Sequence, residues 1–218
     1  METKLDQELE IVRRHVERML ECCDQMLSIA VEDALDEDTS RVQEVFDLDD
    51  EVDVLELEAM NSVVVTIMKR QPVSQDLMFL TSTLAIIGEV EKAGDHACNL
   101  AKRARKVAGI FPEELRSELR DLAKTVRGML KKSVHVYLDY SEDNAMQVIA
   151  ADEEIDATYK SARKQVAAHI EEQPEYTKKL LRCIEVFHAL EHVADRAVDI
   201  AKHMRRLHSR PSDAPDGV

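Results

Sequence analysis

The sequence predicts an all-α protein made of two tandem three-helix bundles related by internal duplication. Three observations carry that prediction. Helix breakers are scarce, with 5 Gly and 5 Pro in 218 residues, while 44% of residues are hydrophobic and 33% charged, a balance that favours long amphipathic helices. Apolar residues recur every three to four positions along extended segments, the period of one helix face. Finally, one segment occurs twice: Glu91-Lys92-Ala93-Gly94-Asp95-His96-Ala97-Cys98-Asn99 returns without a gap as Glu191-His192-Val193-Ala194-Asp195-Arg196-Ala197-Val198-Asp199. Upstream, Asp49 to Asp53 matches Asp152 to Asp156, and Gln71-Pro72 matches Gln173-Pro174. The matches keep their order, which marks a duplication.

The first helix is expected from about Leu5 to Leu35, on a stripe of Leu9, Val12, Val16, Met19, Cys23, Met26 and Ala30. Asp36 to Ser40 breaks it and offers N-cap side chains to a second helix from about Thr39 to Arg70, striped by Val45, Val52, Ala59 and Val63. Gln71-Pro72 ends that helix, because a residue preceding proline avoids the right-handed helical region. A third helix runs from near Val73 to about Val107, with Leu80, Leu84 and Ile87 leading into Glu91, Gly94 and Cys98. Gly109 to Pro112 reads as the linker. The pattern then repeats, with helices at about Pro112–Tyr140, Glu142–Glu172 and Glu175–Leu207. Domains are therefore expected at 1–109 and 110–208, followed by a disordered tail at 209–218 that carries two prolines and a glycine. Each triplet can close into an antiparallel bundle around its stripes.

Composition removes several function classes. A net charge of −15 disfavours nucleic acid and anionic membrane as partners. The basic run Lys102 to Lys106 reads as a helix end that complements the helix dipole. With no Trp and 4% aromatics, a base-stacking surface is not expected. The 4 cysteines form no C-x-x-C pair. The N-terminus is polar and no apolar run spans a bilayer, so the expected setting is cytoplasmic. Neither a glycine-rich phosphate loop nor a Ser-His-Asp or Cys-His arrangement stands out.

The repeated carboxylates are the candidate chemistry. Asp49/Asp53, Glu91/Asp95, Asp152/Asp156 and Glu191/Asp195 are all spaced four apart, so each pair shares a helix face. Two such pairs on neighbouring helices would surround one point with oxygen ligands suited to hard cations. Glu91 and Glu191 continue the apolar stripes, where an unpaired carboxylate is costly without a cation, a base or a proton. Asn99 and Asp199 follow one turn later and are expected as ligands or as groups that orient them. The bland alternative is a solvated acidic face whose acids pair with Lys92 and Lys102. His188 to His192 also fits H-x-x-E-H, an inverted zinc-protease motif. The repeat already accounts for Glu191 and replaces both histidines with Gly88 and Lys92, so the protease reading is set aside.

The ordered set of repeated motifs resembles the PhoU family of phosphate-uptake and phosphate-signalling regulators, over about residues 5–208. The resemblance implies tandem three-helix bundles and metal clusters, iron favoured, with zinc or manganese as alternatives. Their ligands would be Asp49, Asp53, Glu91 and Asp95 in one half, and Asp152, Asp156, Glu191 and Asp195 in the other. It further implies a non-enzymatic negative regulator, often a homodimer. Such a regulator links the ATPase subunit of the phosphate ABC transporter to a sensor histidine kinase, and reaches the membrane only through those partners. Arg196 in place of His96 is a departure that would partly neutralise the second site. Two other functions compete: a carboxylate-bridged metalloenzyme and a metal-free scaffold. The first expects paired Glu-x-x-His motifs, of which only Glu185 to His188 is present.

Overall fold

The computed structural model describes residues 3–36, 40–107 and 111–209. Six long helices account for most of them: α1 (Lys4–Asp36), α2 (Val42–Arg70), α3 (Ser74–Val107), α4 (Glu113–Leu138), α5 (Glu142–Glu172) and α6 (Thr177–His208). The helices start and stop for local reasons. Thr3 and Asp6 close a reciprocal cap on α1, each backbone N–H donating to the other's side chain at 2.8 and 3.1 Å. Ser141 caps α5 by accepting from the Asn144 N–H. The expectation that the break after Asp36 caps α2 fails in the described part. Arg41 holds that position and makes no side-chain cap bond. Residues 37–39, 108–110 and 210–218, to which part of that cap, the linker and most of the tail belong, lie outside the described residues.

The two Gln-Pro breaks are solved differently. Gln71 turns left-handed, at φ 48° and ψ 52°, and its N–H reaches back to the Ile67 carbonyl. Gln173 stays at negative φ, −137° with ψ 70°, and a 3-10 turn over Pro174–Tyr176 leads into α6.

Each triplet packs pairwise: α1, α2 and α3 in one bundle, α4, α5 and α6 in the other. The bundles do not stand apart. The most extensive helix contact in the molecule is between them, α3 against α6, and α1 also meets α4. One continuous apolar core results, running through Val16, Met26, Ile87 and Leu100 into Leu119, Val126, Phe187 and Ile200. Helices α2 and α5 touch only their own bundles and form the outer walls.

Polar clamps reinforce the seam. Arg127 on α4 grips Asp24 on α1 through two bonds of 2.7 and 3.0 Å, with Lys131 3.2 Å away. Buried Thr83 on α3 bonds the Tyr137 hydroxyl on α4 at 3.3 Å. Arg196 on α6 bonds Glu89 on α3 at 2.6 Å. The outer walls differ in chemistry. Helix α2 exposes Val54, Leu57, Val64 and Met68, where the second half carries Ala157, Lys160, Ala167 and Glu171.

Candidate metal centres

In the first half, α2 carries Asp49 and Asp53 and α3 carries Glu91 and Asp95, on walls that face each other across the bundle surface. Gly94 lies against α2 between them. A Cβ built there would meet Val52 Cγ1 at 3.5 Å, Cys23 Sγ at 3.6 Å and Asp49 Oδ1 at 3.9 Å. These are ordinary contacts, so a methyl group would fit, and the matching place in the second half is Ala194.

Burial raises the Asp49 carboxyl above its ordinary pKa. A hydrogen bond from the Cys98 thiol opposes the rise, and the charges of Asp95 and Asp53 add to it. Glu91 is raised likewise by burial, then by Asp95, Glu56 and Asp53. These mutual repulsions place five acids in one neighbourhood. Glu56 is a member that sequence reasoning missed. Its signal is present in the chain, since it lies one turn beyond Asp53, but the repeat has Tyr159 there and so hides it. The lysines make their short contacts elsewhere, Lys92 with Glu89 at 3.1 Å and Lys102 5.6 Å over the Phe46 ring, while their charges still lower Glu91 and Asp49 respectively.

The second half repeats the gathering with more neutralisation. Burial, then Asp195 and Asp156, raises Asp152. Burial, then Asp195, raises Glu191, with His192 opposing and Asp156 and Asp152 adding. Lys160 sits 3.2 Å from Asp156, and Lys202 sits 3.7 Å from Asp199. Arg196 pairs with acids of its own half and also with the seam. Its short contact is to Glu89 across the seam, with Asp199 at 3.3 Å and Asp195 only at 3.9 Å. Asn99, by contrast, is exposed one turn beyond Asp95.

Of the described residues, His188, Glu191 and His192 form the group whose candidate ligand atoms all fall within 4.8 Å of one another. The eight acids named from the sequence make no group that tight. They lie close enough to repel but are not drawn to a single point. Such a set still fits a cation. It offers hard oxygen donors, mutual repulsion among the acids, and in Glu191 a buried Oε2 that accepts no hydrogen bond from a described residue. His96 stacks on His192, with ring centroids 4.8 Å apart, and burial pulls its pKa down to about 4, so it is neutral near pH 7.

The family comparison follows this geometry. The PhoU domain model matches residues 16–104 and again 119–204, one match per bundle and each spanning that bundle's carboxylates. The chain belongs to the PhoU family. A phosphate-specific transport system accessory protein PhoU homolog from Rhizobium meliloti is 30% identical over 198 residues, covering 90% of this chain and 84% of that protein. A Pseudomonas aeruginosa PhoU homolog is 27% identical, covering 89% and 81%. The crystal structure of PhoU from Pseudomonas aeruginosa superposes with a TM-score of 0.89 at 26% identity, covering 94% of this chain and 99% of that one. PhoU from Streptococcus pneumoniae shares the fold, with a TM-score of 0.85 at 18% identity.

Among the described residues, no helix of this PhoU-family chain is long and apolar enough to cross a membrane. Two surface grooves of about 410 and 430 Å³ lie between α4 and α5 and between α1 and α4, away from Glu91 and Glu191.

Proposed function

We propose that the chain is a negative regulator of phosphate uptake and phosphate-starvation signalling. In this reading it is a metal-binding adaptor between the ATPase subunit of a phosphate ABC transporter and a sensor histidine kinase. Membership of a family whose relatives are named phosphate-specific transport system accessory proteins supports the transport part. The observation that carries the metal-binding part is the duplicated gathering of carboxylates on α2/α3 and α5/α6, in which burial first, and then the neighbouring carboxylates, raise Glu91 and Glu191. Asp49, Asp53, Glu91 and Asp95 would hold ions in one half, and Asp152, Asp156, Glu191 and Asp195 in the other, with Asn99 and Asp199 beside them. Iron is favoured, with manganese or zinc as alternatives. A bound cation would remove the repulsion and lock α2 to α3 and α5 to α6, presenting a rigid face to a partner. The protein works in the cytoplasm as a homodimer, and it meets the membrane through those partners alone.

The test pairs a deletion strain with two complementing genes, wild type and Glu91→Ala/Glu191→Ala. Phosphate uptake and alkaline phosphatase are followed in phosphate-rich medium, with elemental analysis of both purified proteins. The deletion is expected to take up phosphate without restraint and to express the phosphatase constitutively. Wild type restores control, and the double variant, lacking metal, does not. Normal repression in the deletion strain would overturn the regulatory reading. Wild-type protein that stays metal-free after anaerobic loading would reduce the acids to surface carboxylates.

A further inference from the structure

The two halves differ most at one corner, and the differences there go together. On α3 the first half carries Gly88, Glu91 and Lys92, with Glu56 opposite on α2. On α6 the second half carries His188, Glu191 and His192, with Tyr159 at the place of Glu56. The corner of oxygens in the first half has therefore become imidazole, carboxylate, imidazole within little more than one turn of one helix. Residues four apart share a helix face, so both rings point to the same side as Glu191.

Glu191 Oε2 lies 3.4 Å from His192 Nδ1 and 4.0 Å from His188 Nε2. Neither contact makes a hydrogen bond. That oxygen is also buried and accepts no hydrogen bond from any described residue. Donors about 2.0–2.1 Å from a tetrahedral zinc ion stand roughly 3.3 Å apart; Glu191 and His192 are near that spacing, and His188 stands further off, all three ligand atoms lying within 4.8 Å of one another. Asp195 Oδ2, 3.6 Å from His192 Nδ1, stands at the rim. Neither imidazole depends on Glu191 for its orientation: Tyr159 stacks on His188 at 5.5 Å, and His96 on the neighbouring α3 stacks on His192 at 4.8 Å.

We propose that His188, Glu191 and His192 form a nitrogen-containing site for a borderline divalent ion of the zinc class. Its selectivity is distinct from that of the all-oxygen cluster of the first half. Imidazole suits zinc, nickel and copper, whereas a purely carboxylate set suits magnesium, calcium and manganese. One protein thus carries two metal chemistries, one per bundle, and the α6 site lies against the α3–α6 seam. This deepens the metal-binding reading through Glu191, and it does not need the acids of the first half to bind. It also separates the site from the zinc-protease motif. There the glutamate serves as a base, whereas here its oxygen takes a ligand position.

The test uses metal-stripped full-length protein titrated separately with Zn²⁺, Mn²⁺ and, as a spectroscopic probe, Co²⁺. Three proteins are compared: wild type, His188→Gln/His192→Gln, and the first-half variant Asp49→Asn/Glu91→Gln. Wild type is expected to give the visible absorption of low-symmetry, nitrogen-ligated Co²⁺, displaced by Zn²⁺. The histidine variant loses that absorption and weakens Zn²⁺ binding at least ~100-fold, a floor taken from losses seen when only supporting groups are removed, while keeping its Mn²⁺. The first-half variant does the reverse. All these side chains are at least partly solvent-accessible, and helical circular dichroism verifies that each variant is folded. Unchanged Zn²⁺ affinity and Co²⁺ spectrum in the histidine variant overturn the proposal and leave the carboxylate reading standing. Wild type that binds none of the three ions overturns both.

Discussion

Asp95 is the residue on which the first carboxylate cluster turns. Its charge adds to the rise of both Asp49 and Glu91, and it is itself exposed. Replacing it with the neutral isostere removes one charge from a repelling set, and an exposed side chain leaves no cavity behind. Asp95→Asn is therefore expected to raise the melting temperature of metal-free protein and to shrink the further rise on adding Mn²⁺ or Fe²⁺, because ligand-linked stabilisation falls with affinity. Thermal melts with and without ion check both signs. A variant that melts lower when metal-free would mean that Asp95 makes a stabilising contact instead. At this scale the sequence was legible where the repeat was faithful. Glu91 and Glu191 were found because they fill one slot twice. Glu56 and the His188/His192 pair were obscured because each occurs in one half only, and a comparison of the halves discounts whatever fails to recur.

Single helices carry their own consequences. Gln71 ends α2 in the left-handed region at φ 48°, where a Cβ is strained and glycine is not. Gln71→Gly should stabilise the protein by about 0.5–1 kcal/mol, the relief being partly offset by a freer unfolded chain, and a urea melt would show a higher midpoint with an unchanged slope. The outward face of α2 supports a second prediction. Leu57 and Met68 are 67% and 72% exposed, so they add little to the core. Exchanging them for the second half's residues, Leu57→Lys and Met68→Glu, should leave stability within about 0.5 kcal/mol while reducing any tendency to associate. A large loss in the same urea melt would show that this face is packed in solution. Helix positions were readable from periodicity alone: the fifth helix was expected over Glu142–Glu172 and lies over those residues. The start of α2 was not readable, because several candidate cap residues precede it and Arg41 takes the place without using its side chain.

For the whole molecule, the seam between the bundles decides stability. Burial alone would raise the Asp24 carboxyl, but bonds and charge from Arg127 and Lys131 outweigh it and hold the pKa below the ordinary 3.8. A carboxyl lowered by folding contributes stability that is fully present above its unfolded pKa and is lost as pH falls through the folded one. Asp24→Asn should therefore destabilise the protein by about 1.5–3 kcal/mol at neutral pH, the range for hydrogen bonds to charged groups. The gap to wild type should close only as pH drops below about 4, where wild type also takes up the proton. Urea melts at pH 7 and near pH 3 test this, and a gap that stays constant over that range would refute the linkage. The same seam explains Arg196. It pairs with acids of its own half, Asp199 at 3.3 Å and Asp195 at 3.9 Å, and its shortest bond, at 2.6 Å, crosses to Glu89 on α3.

The sequence by itself determined six helices, their apolar stripes, the duplication and the recurring acids, because a helix's period and spacing are local properties that fix which residues share a face. Which faces meet was decided only by the tertiary structure. Burying apolar stripes is non-directional, and the α3 and α6 stripes could each have been satisfied inside separate bundles. Their packing against each other made one core of two, carried Arg196 to Glu89, and brought His96 over His192 beside the Glu191 corner. Those contacts join residues about a hundred positions apart in the chain, and no periodicity or motif spacing encodes them.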